Sequence, residues 1–125
     1  MKKILVSLDL AHGVSPLIEQ ASELGKAFLA EVLVVSVNGD ESAATQLGDI
    51  TEAMVADGVN ASVELLSGKV GEQVVAKGND MDADVIVIGS HGNSSVFDTL
   101  MGSAGQDIMQ HAGRPVLLVP VPEKS

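Results

Sequence analysis

Cysteine, tryptophan and tyrosine are absent from this chain of 125 residues, and Phe28 and Phe97 are its two aromatic side chains. The lack of cysteine excludes disulfides, thiol catalysis and cysteine-ligated zinc. The near absence of aromatic rings argues against a surface on which nucleic-acid bases stack. The hydrophobic core must therefore be built from Val, Ile, Leu, Ala and Met.

Positive charge is also scarce, since 7 Lys and Arg stand against 17 Asp and Glu, giving a net charge of −10. Proteins that bind DNA or RNA electrostatically present a basic face, and anionic membrane surfaces attract basic segments. The charge balance therefore argues against nucleic acid and against a membrane surface as partners.

Long hydrophobic runs are missing as well. No window approaches the run of about 18 apolar residues that a membrane-spanning helix needs. The apolar run behind Lys2 and Lys3 stops at Asp9 and is too short for a secretory signal. We therefore expect a cytoplasmic protein without membrane insertion. The length predicts a single domain over residues 1–125, with a frayed tail at 121–125.

Five short runs rich in β-branched residues predict five strands, and the intervals between them carry apolar residues at helical spacing. Several runs are continuously apolar, which is typical of strands covered on both faces of a parallel sheet. The predicted strands are Ile4–Leu8, Glu31–Val37, Ala61–Leu66, Asp84–Ile88 and Val116–Val119. The first predicted helix begins at Ser15-Pro16, with Ser15 as its N-cap. The other three predicted helices span Asp40 to Gly58, Val70 to Asp80 and roughly Ser103 to Ala112.

This alternation predicts an α/β fold, an open parallel five-stranded sheet of Rossmann-like type with helices on both faces. Ligands of such sheets bind beyond the carboxyl ends of the strands where the strand order reverses, which points to the loops after strands one and four. A phosphoacceptor receiver domain alternates in the same way. It needs clustered acids after strand one and an Asp ending strand three, where this chain has Asp9 alone and Leu66-Ser67-Gly68.

The loop after strand four carries Gly89, Gly92 and then a Gly102-Ser103 pair that we predict to open the next helix. Glycine lets the backbone approach a ligand closely, and the free N–H groups of a helix N-terminus attract phosphate. A solvated loop histidine is the better interpretation of His91. No nucleophile, base and orienting group come together in the pattern, so no catalytic residue is predicted.

The spacing Gly-x2-Gly-x9-Gly-Ser resembles the nucleotide-binding motif of the ATP-binding branch of the universal stress protein family. Three segments are similar to that family too: ILVSLD at 4–9, ADVIVIGSHG at 83–92 and GRPVLLVP at 113–120. The resemblance covers nearly the whole chain. It implies a single domain of the adenine nucleotide alpha hydrolase-like kind.

The resemblance also implies residue roles. Asp9 would contact the ribose or adenine, and the backbone at Val37 would pair with the adenine edge. Two glycines would line the ribose and phosphate path, and the start of the last helix would hold the phosphates. The nucleotide-binding set implied in this way is Asp9, Val37, Gly89, Gly92, Gly102, Ser103, Ala104 and Gly105.

Some residues depart from the family's pattern. Leu10-Ala11 follows Asp9 where a small or hydroxylated pair is common, and Gly105 stands where a second Ser or Thr is usual. The loop between Gly92 and Gly102 has no Lys or Arg and contains Asp98. These departures favour AMP or ADP over ATP, unless Mg²⁺ or Mn²⁺ offsets the charge of the triphosphate.

Two functions remain open. The first is binding of ATP, ADP or AMP for sensing or regulation under stress, with at most a slow ATPase activity because no general base is visible. The second is a nucleotide-free dimeric interaction module or chaperone-like stress protein. In either case the apolar Val116–Val119 strand at the sheet edge predicts a homodimer.

Overall fold

A computed structural model describes residues 1–10, 13–91 and 97–121, of which 91 and 97–103 are described by their backbone alone. These described residues form five strands and four helices in strict alternation. In chain order they are β1 (Lys3–Ser7), α1 (Ser15–Phe28), β2 (Glu31–Val37), α2 (Glu41–Ala56), β3 (Asn60–Leu66), α3 (Val70–Asp80), β4 (Val85–His91), α4 (Phe97–His111) and β5 (Val116–Val121).

The strands form one fully parallel sheet in the order β3-β2-β1-β4-β5. From β1 the chain moves outward to β2 and β3, then returns across the sheet to β4 and β5. Because parallel crossovers are right-handed, the two directions of travel put α1 and α2 on one face and α3 and α4 on the other. The predicted fold class is therefore confirmed.

Alternate residues of the strands point to opposite faces of the sheet and pack into two separate hydrophobic cores. In β1, Ile4 and Val6 face the α1 and α2 side, where they pack with Leu17 and Leu47. Leu5 faces the opposite side, with Val74 of α3 and Ile108 of α4. The three β1 side chains are 0–1% exposed. Burial on both faces explains the continuous apolar runs in the sequence.

The amino ends of the central strands are tied together by Asp84. Its Oδ2 accepts hydrogen bonds from the backbone N–H groups of Lys2 (2.6 Å) and Lys3 (2.9 Å). Its own N–H donates to the Lys3 carbonyl at 2.8 Å. The two N–H donors lower the pKa of Asp84 below its ordinary value. The carboxylate thus fixes the start of β1 against β4 at the edge of the sheet away from the predicted site.

Several predicted boundaries are wrong. The N-cap of α1 is Val14, without a side-chain cap, and Ser15 is already helical. Strand β4 does not end before Gly89 but continues to His91, since it stays paired with β5 as far as His91↔Val121. Val121 accordingly lies in β5 and is 4% exposed, whereas it was assigned to a frayed tail. Residues 122–125 of that tail lie outside the described residues.

Helix α4 begins at Phe97, six residues earlier than predicted. The prediction took the Gly102-Ser103 pair as the start of a helix whose free N–H groups would attract phosphate. The spacing of Phe97, Leu100, Ala104 and Ile108 is helical throughout and overrides the glycine. Gly102 and Ser103 therefore lie inside α4. Within the described part of the chain, no helix is long and apolar enough to cross a membrane.

Candidate functional site

A cavity of about 240 Å³ lies at the carboxyl edge of the sheet, between β1 and β4, where the strand order reverses. This is the position at which open α/β sheets bind ligands. Its wall combines the ends of β1, β2 and β4, the start of α1 and the inner side of α4. The residues that line it are Ser7, Leu8, Asp9, Gly13, Val14, Leu17, Ser36, Val37, Val70, Ile88, Gly89, Ala104, Gly105, Ile108 and Val121.

Five of the eight residues in the predicted nucleotide-binding set line this cavity: Asp9, Val37, Gly89, Ala104 and Gly105. They come from four separate stretches of sequence. Gly102 and Ser103 lie one turn before Gly105 within α4. Gly92 lies outside the described residues. The cavity therefore brings together the ends of β1 and β2, β4 and the middle of α4, as the predicted set requires.

Val37 presents its backbone to the cavity because β2 extends further than β1 at the carboxyl edge of the sheet. In parallel pairing, the N–H and C=O of one residue face the same neighbour, and the next residue faces the other one. The Val35 carbonyl accepts from Leu8 N–H at 2.9 Å, whereas Asn38 N–H donates to the Leu66 carbonyl at 2.7 Å. The N–H and C=O of Val37, two residues after Val35, therefore also face the β1 side. The last registered residue of β1 is Ser7, opposite Val35. The Val37 peptide groups thus lie beyond the end of β1.

Gly89 occupies a place where a side chain does not fit. A Cβ built on it would lie 2.7 Å from Val121 Cγ2, closer than real Cβ atoms approach, and 3.1 Å from Leu17 Cδ1, tighter than most real Cβ contacts. The φ angle of Gly89 is not in the left-handed region, which holds Gly58, Gly68 and Gly113. Close packing of β4 against β5 and α1, beside the cavity, therefore accounts for this glycine.

The charge of the cavity wall comes from Asp9, the one ionisable side chain among the described residues that line it. Asp9 follows β1 directly and is exposed at the cavity mouth. The remainder of the described wall is apolar, apart from the serines at positions 7 and 36. Over the described part of the chain, no three His, Asp or Glu side chains come close enough to hold a metal ion.

Sequence reasoning missed the contributions of Gly13, Val14, Ser36 and Val70 to the wall. Val70 is the first residue of α3 and is 39% exposed. Its helix starts at the carboxyl edge of β3, two strands away from β1, so spacing within the β1 and β4 loops gives no signal for it. Ser36 and Val37 lie together at the end of β2. Predicting that Ser36 lines the cavity would have required knowing how far β2 extends past β1.

Residues 38–120 match the universal stress protein family, and the chain belongs to that family. It is 32% identical to a universal stress protein of Thermus aquaticus over 115 residues, covering 87% of this chain and 80% of that protein. It is 33% identical to universal stress protein G of Salmonella typhimurium over 92 residues, covering 74% of this chain. It spans 64% of the length of that relative.

Solved structures share the fold. A universal stress protein from Archaeoglobus fulgidus in complex with dAMP has a TM-score of 0.76 at 20% identity, with 95% of this chain and 98% of that chain covered. A universal stress protein in complex with cAMP has a TM-score of 0.79 at 19% identity, covering 94% and 95% of the two chains. At these identities the likeness concerns the fold alone.

Replacing Gly89 by Ala tests the packing of β4 at the cavity. The added Cβ must displace Val121 or Leu17, so Gly89→Ala should lower the free energy of unfolding by about 1–3 kcal/mol. Gly48→Ala is the matched control. Gly48 lies inside α2, and a Cβ built on it meets nothing within 4 Å. It should raise stability by about 0.5–1 kcal/mol. Urea unfolding followed by circular dichroism measures both. Equal stabilities would refute the packing explanation.

Proposed function

We propose that the cavity between β1 and β4 binds an adenine nucleotide, and that the protein senses or regulates through this binding and not through fast turnover. The observation that carries the proposal is the Val37 backbone, which faces the cavity side beyond the end of β1. Adenine offers a donor at its exocyclic amine and an acceptor at N1. The Val37 C=O would accept from the amine, and its N–H would donate to N1.

The rest of the wall supports a nucleoside at this place. Asp9, at the mouth, would accept hydrogen bonds from the ribose hydroxyls. Gly89, Ala104 and Gly105 are small, and small residues let a flat base and a sugar approach the backbone closely. Cavities that hold small molecules have typical volumes of about 300–1,000 Å³, and the observed ≈ 240 Å³ lies below that range. The volume thus favours a mononucleotide whose phosphate projects out of the cavity.

The phosphate would lie toward the amino end of α4. The first four N–H groups of a helix have no partner within it and attract anions. With α4 beginning at Phe97, these amides precede Gly102 and Ser103, so the segment from Gly92 to Ser103 would share the contacts. It contains no Lys or Arg, and the chain carries a net charge of −10. AMP and ADP therefore fit better than ATP, which needs Mg²⁺ or Mn²⁺ to offset its charge. The relatives in complex with cAMP and dAMP hold ligands with one phosphate.

Equilibrium dialysis tests the proposal directly, since without Trp or Tyr absorbance near 260 nm reports the nucleotide. AMP and ADP should bind, ATP should bind better with Mg²⁺ than without it, and GMP should bind at least about 10-fold more weakly than AMP. Guanine sets its O6 acceptor against the Val37 carbonyl and its N1–H against the Val37 N–H, leaving polar groups mispaired. No detectable binding of AMP, ADP or ATP at millimolar concentration would refute the proposal.

A matched pair of variants locates the site in the same assay. Asp9→Ala removes a charged acceptor at the cavity mouth and should weaken AMP binding about 10-fold, the usual effect of losing a hydrogen bond to a charged group. Asp49→Ala removes the same charge from an exposed position on α2 and should leave the affinity unchanged.

A second candidate function, dimerisation through β5 without nucleotide, is favoured by the geometry of that edge strand. The Pro115 carbonyl accepts from Ile86 N–H at 3.0 Å, so residues 117, 119 and 121 face β4 while Val116, Leu118 and Pro120 face outward. Pro120 has no N–H to offer. An antiparallel pair centred on Leu117 would let Val116 and Leu118 exchange four hydrogen bonds with a second copy.

Sedimentation equilibrium tests the dimer. The wild type should have the mass of two chains at about tens of micromolar, and Leu118→Lys should shift it to one chain. Leu118 is half-buried against the core, so a thermal melt must show that the variant is folded. Val63→Lys, on the opposite edge strand β3 at a residue 39% exposed, is the control and should remain dimeric. A wild type with the mass of one chain would eliminate this candidate.

A further inference from the structure

Asn38, the residue after Val37, makes one hydrogen bond to the last residue of β3 and two to the loop between β3 and α3. Its backbone N–H donates to the Leu66 carbonyl at 2.7 Å. Its side-chain Nδ2 donates to the Gly68 carbonyl at 2.7 Å, and its Oδ1 accepts from Gly68 N–H at 2.9 Å. Asn38 has a φ of +64°, a left-handed conformation that Asn adopts more readily than most residues. The side chain extends the β2–β3 ladder past the ends of both strands.

One of these bonds orients the Val37 carbonyl. The Val37 C=O and the Asn38 N–H belong to the same planar trans peptide and point in opposite directions. Since the Asn38 N–H is held by Leu66 on the β3 side, the Val37 carbonyl is directed to the other side, past the end of β1. The left-handed φ and the paired side-chain bonds to Gly68 fix the following turn, so this peptide plane has little freedom to rotate.

The surrounding packing keeps the turn in place. A Cβ on Gly39 would lie 2.6 Å from Ala43 Cβ and 3.3 Å from Leu65 Cδ2, so the chain passes close to α2 and β3 here. Gly68, the partner of the Asn38 side chain, has a φ of +125°, and Val70, two residues further on, lines the cavity. Asn38 therefore couples two parts of the cavity wall, the Val37 peptide and the start of α3.

We infer that Asn38 is a positioning residue for base recognition, which aims the Val37 carbonyl at the exocyclic amine of the bound base and fixes the β3–α3 wall beside it. This inference rests on the proposed adenine-nucleotide site. Asn38 does not line the cavity and acts through Val37. It sets the discrimination between bases that carry the amine and bases that lack it.

The test compares two ligands that differ in this amine, AMP and purine riboside 5′-monophosphate, in wild type and in Asn38→Gly. Glycine keeps the left-handed φ without strain and removes both side-chain bonds. Wild type should bind AMP about 10-fold more tightly than the analogue, the effect of one well-placed hydrogen bond. Asn38→Gly keeps the backbone bond to Leu66 but releases the turn that restrains this peptide plane, so it should weaken AMP about 5-fold, leave the analogue within about 2-fold and remove most of the discrimination.

A control separates positioning from stability. Asn60→Gly changes an exposed Asn at the amino end of β3, the end of that strand away from the cavity. It should leave both affinities unchanged. If Asn38→Gly does not fold, Asn38→Asp retains the acceptor for Gly68 N–H but not the donor to the Gly68 carbonyl, and it should reduce the discrimination partly.

The outcomes distinguish the inference from the proposed function. A wild type that binds no adenine nucleotide contradicts the proposed function itself. A wild type that binds and discriminates, with Asn38→Gly equally discriminating, overturns the positioning role alone. Equal weakening of both ligands in Asn38→Gly also overturns it, because a merely structural residue would act on both alike.

Discussion

The parallel pairing of β1 with β4 is the constraint on which the rest of the structure depends. Ile4, Leu5 and Val6 are registered against Val85, Ile86 and Val87, and β1 has β2 on its other side. The chain runs outward from this pair in both directions, so α1, which follows β1, and α4, which follows β4, lie on opposite faces of the sheet. The cavity lies between them. A ligand there would contact residues that are far apart in sequence, because no crossover connection covers the gap between β1 and β4.

Strand lengths shape the cavity further. β2 runs two residues past the last residue registered with β1, from Val35 to Val37, and on this side the overhang presents a peptide that β1 does not pair with in register. At the other side, β4 continues past Gly89 in register with β5, so a glycine is needed where Val121 and Leu17 approach. The overhang of β2 past β1 and the close packing at Gly89 therefore both shape the wall of the cavity.

Much of the fold could be predicted from local pattern. Continuous apolar runs such as residues 85–88 indicate burial on both faces, and helix α3 spans the predicted Val70–Asp80. Boundaries set by tertiary packing could not be predicted. Gly89 was taken as a strand end although its lack of a side chain serves β5 and α1. Gly102 was taken as a helix start although the apolar spacing of α4 continues through it.

The site was predictable only in part, for related reasons. Asp9 and Gly89 follow from the rule that ligands bind at the switch in strand order. Val37 came from the family resemblance, and its geometry depends on the register between β1 and β2. Asn38 gives a weak local signal, an Asn-Gly pair after a strand, which indicates a turn. That its side chain reaches Gly68, 30 residues on, depends on the pairing of β2 with β3 and has no signature in sequence.

Amide chemical-shift mapping with AMP tests most directly that the cavity between β1 and β4 is the nucleotide site. The account predicts saturable changes at Asp9, Val37, Gly89 and Gly105, all of which line that cavity. Ser22 and Ala53 should not change, since they line a second groove between α1 and α2 and serve as an internal reference. Changes confined to that groove, or none at millimolar AMP, would contradict the account.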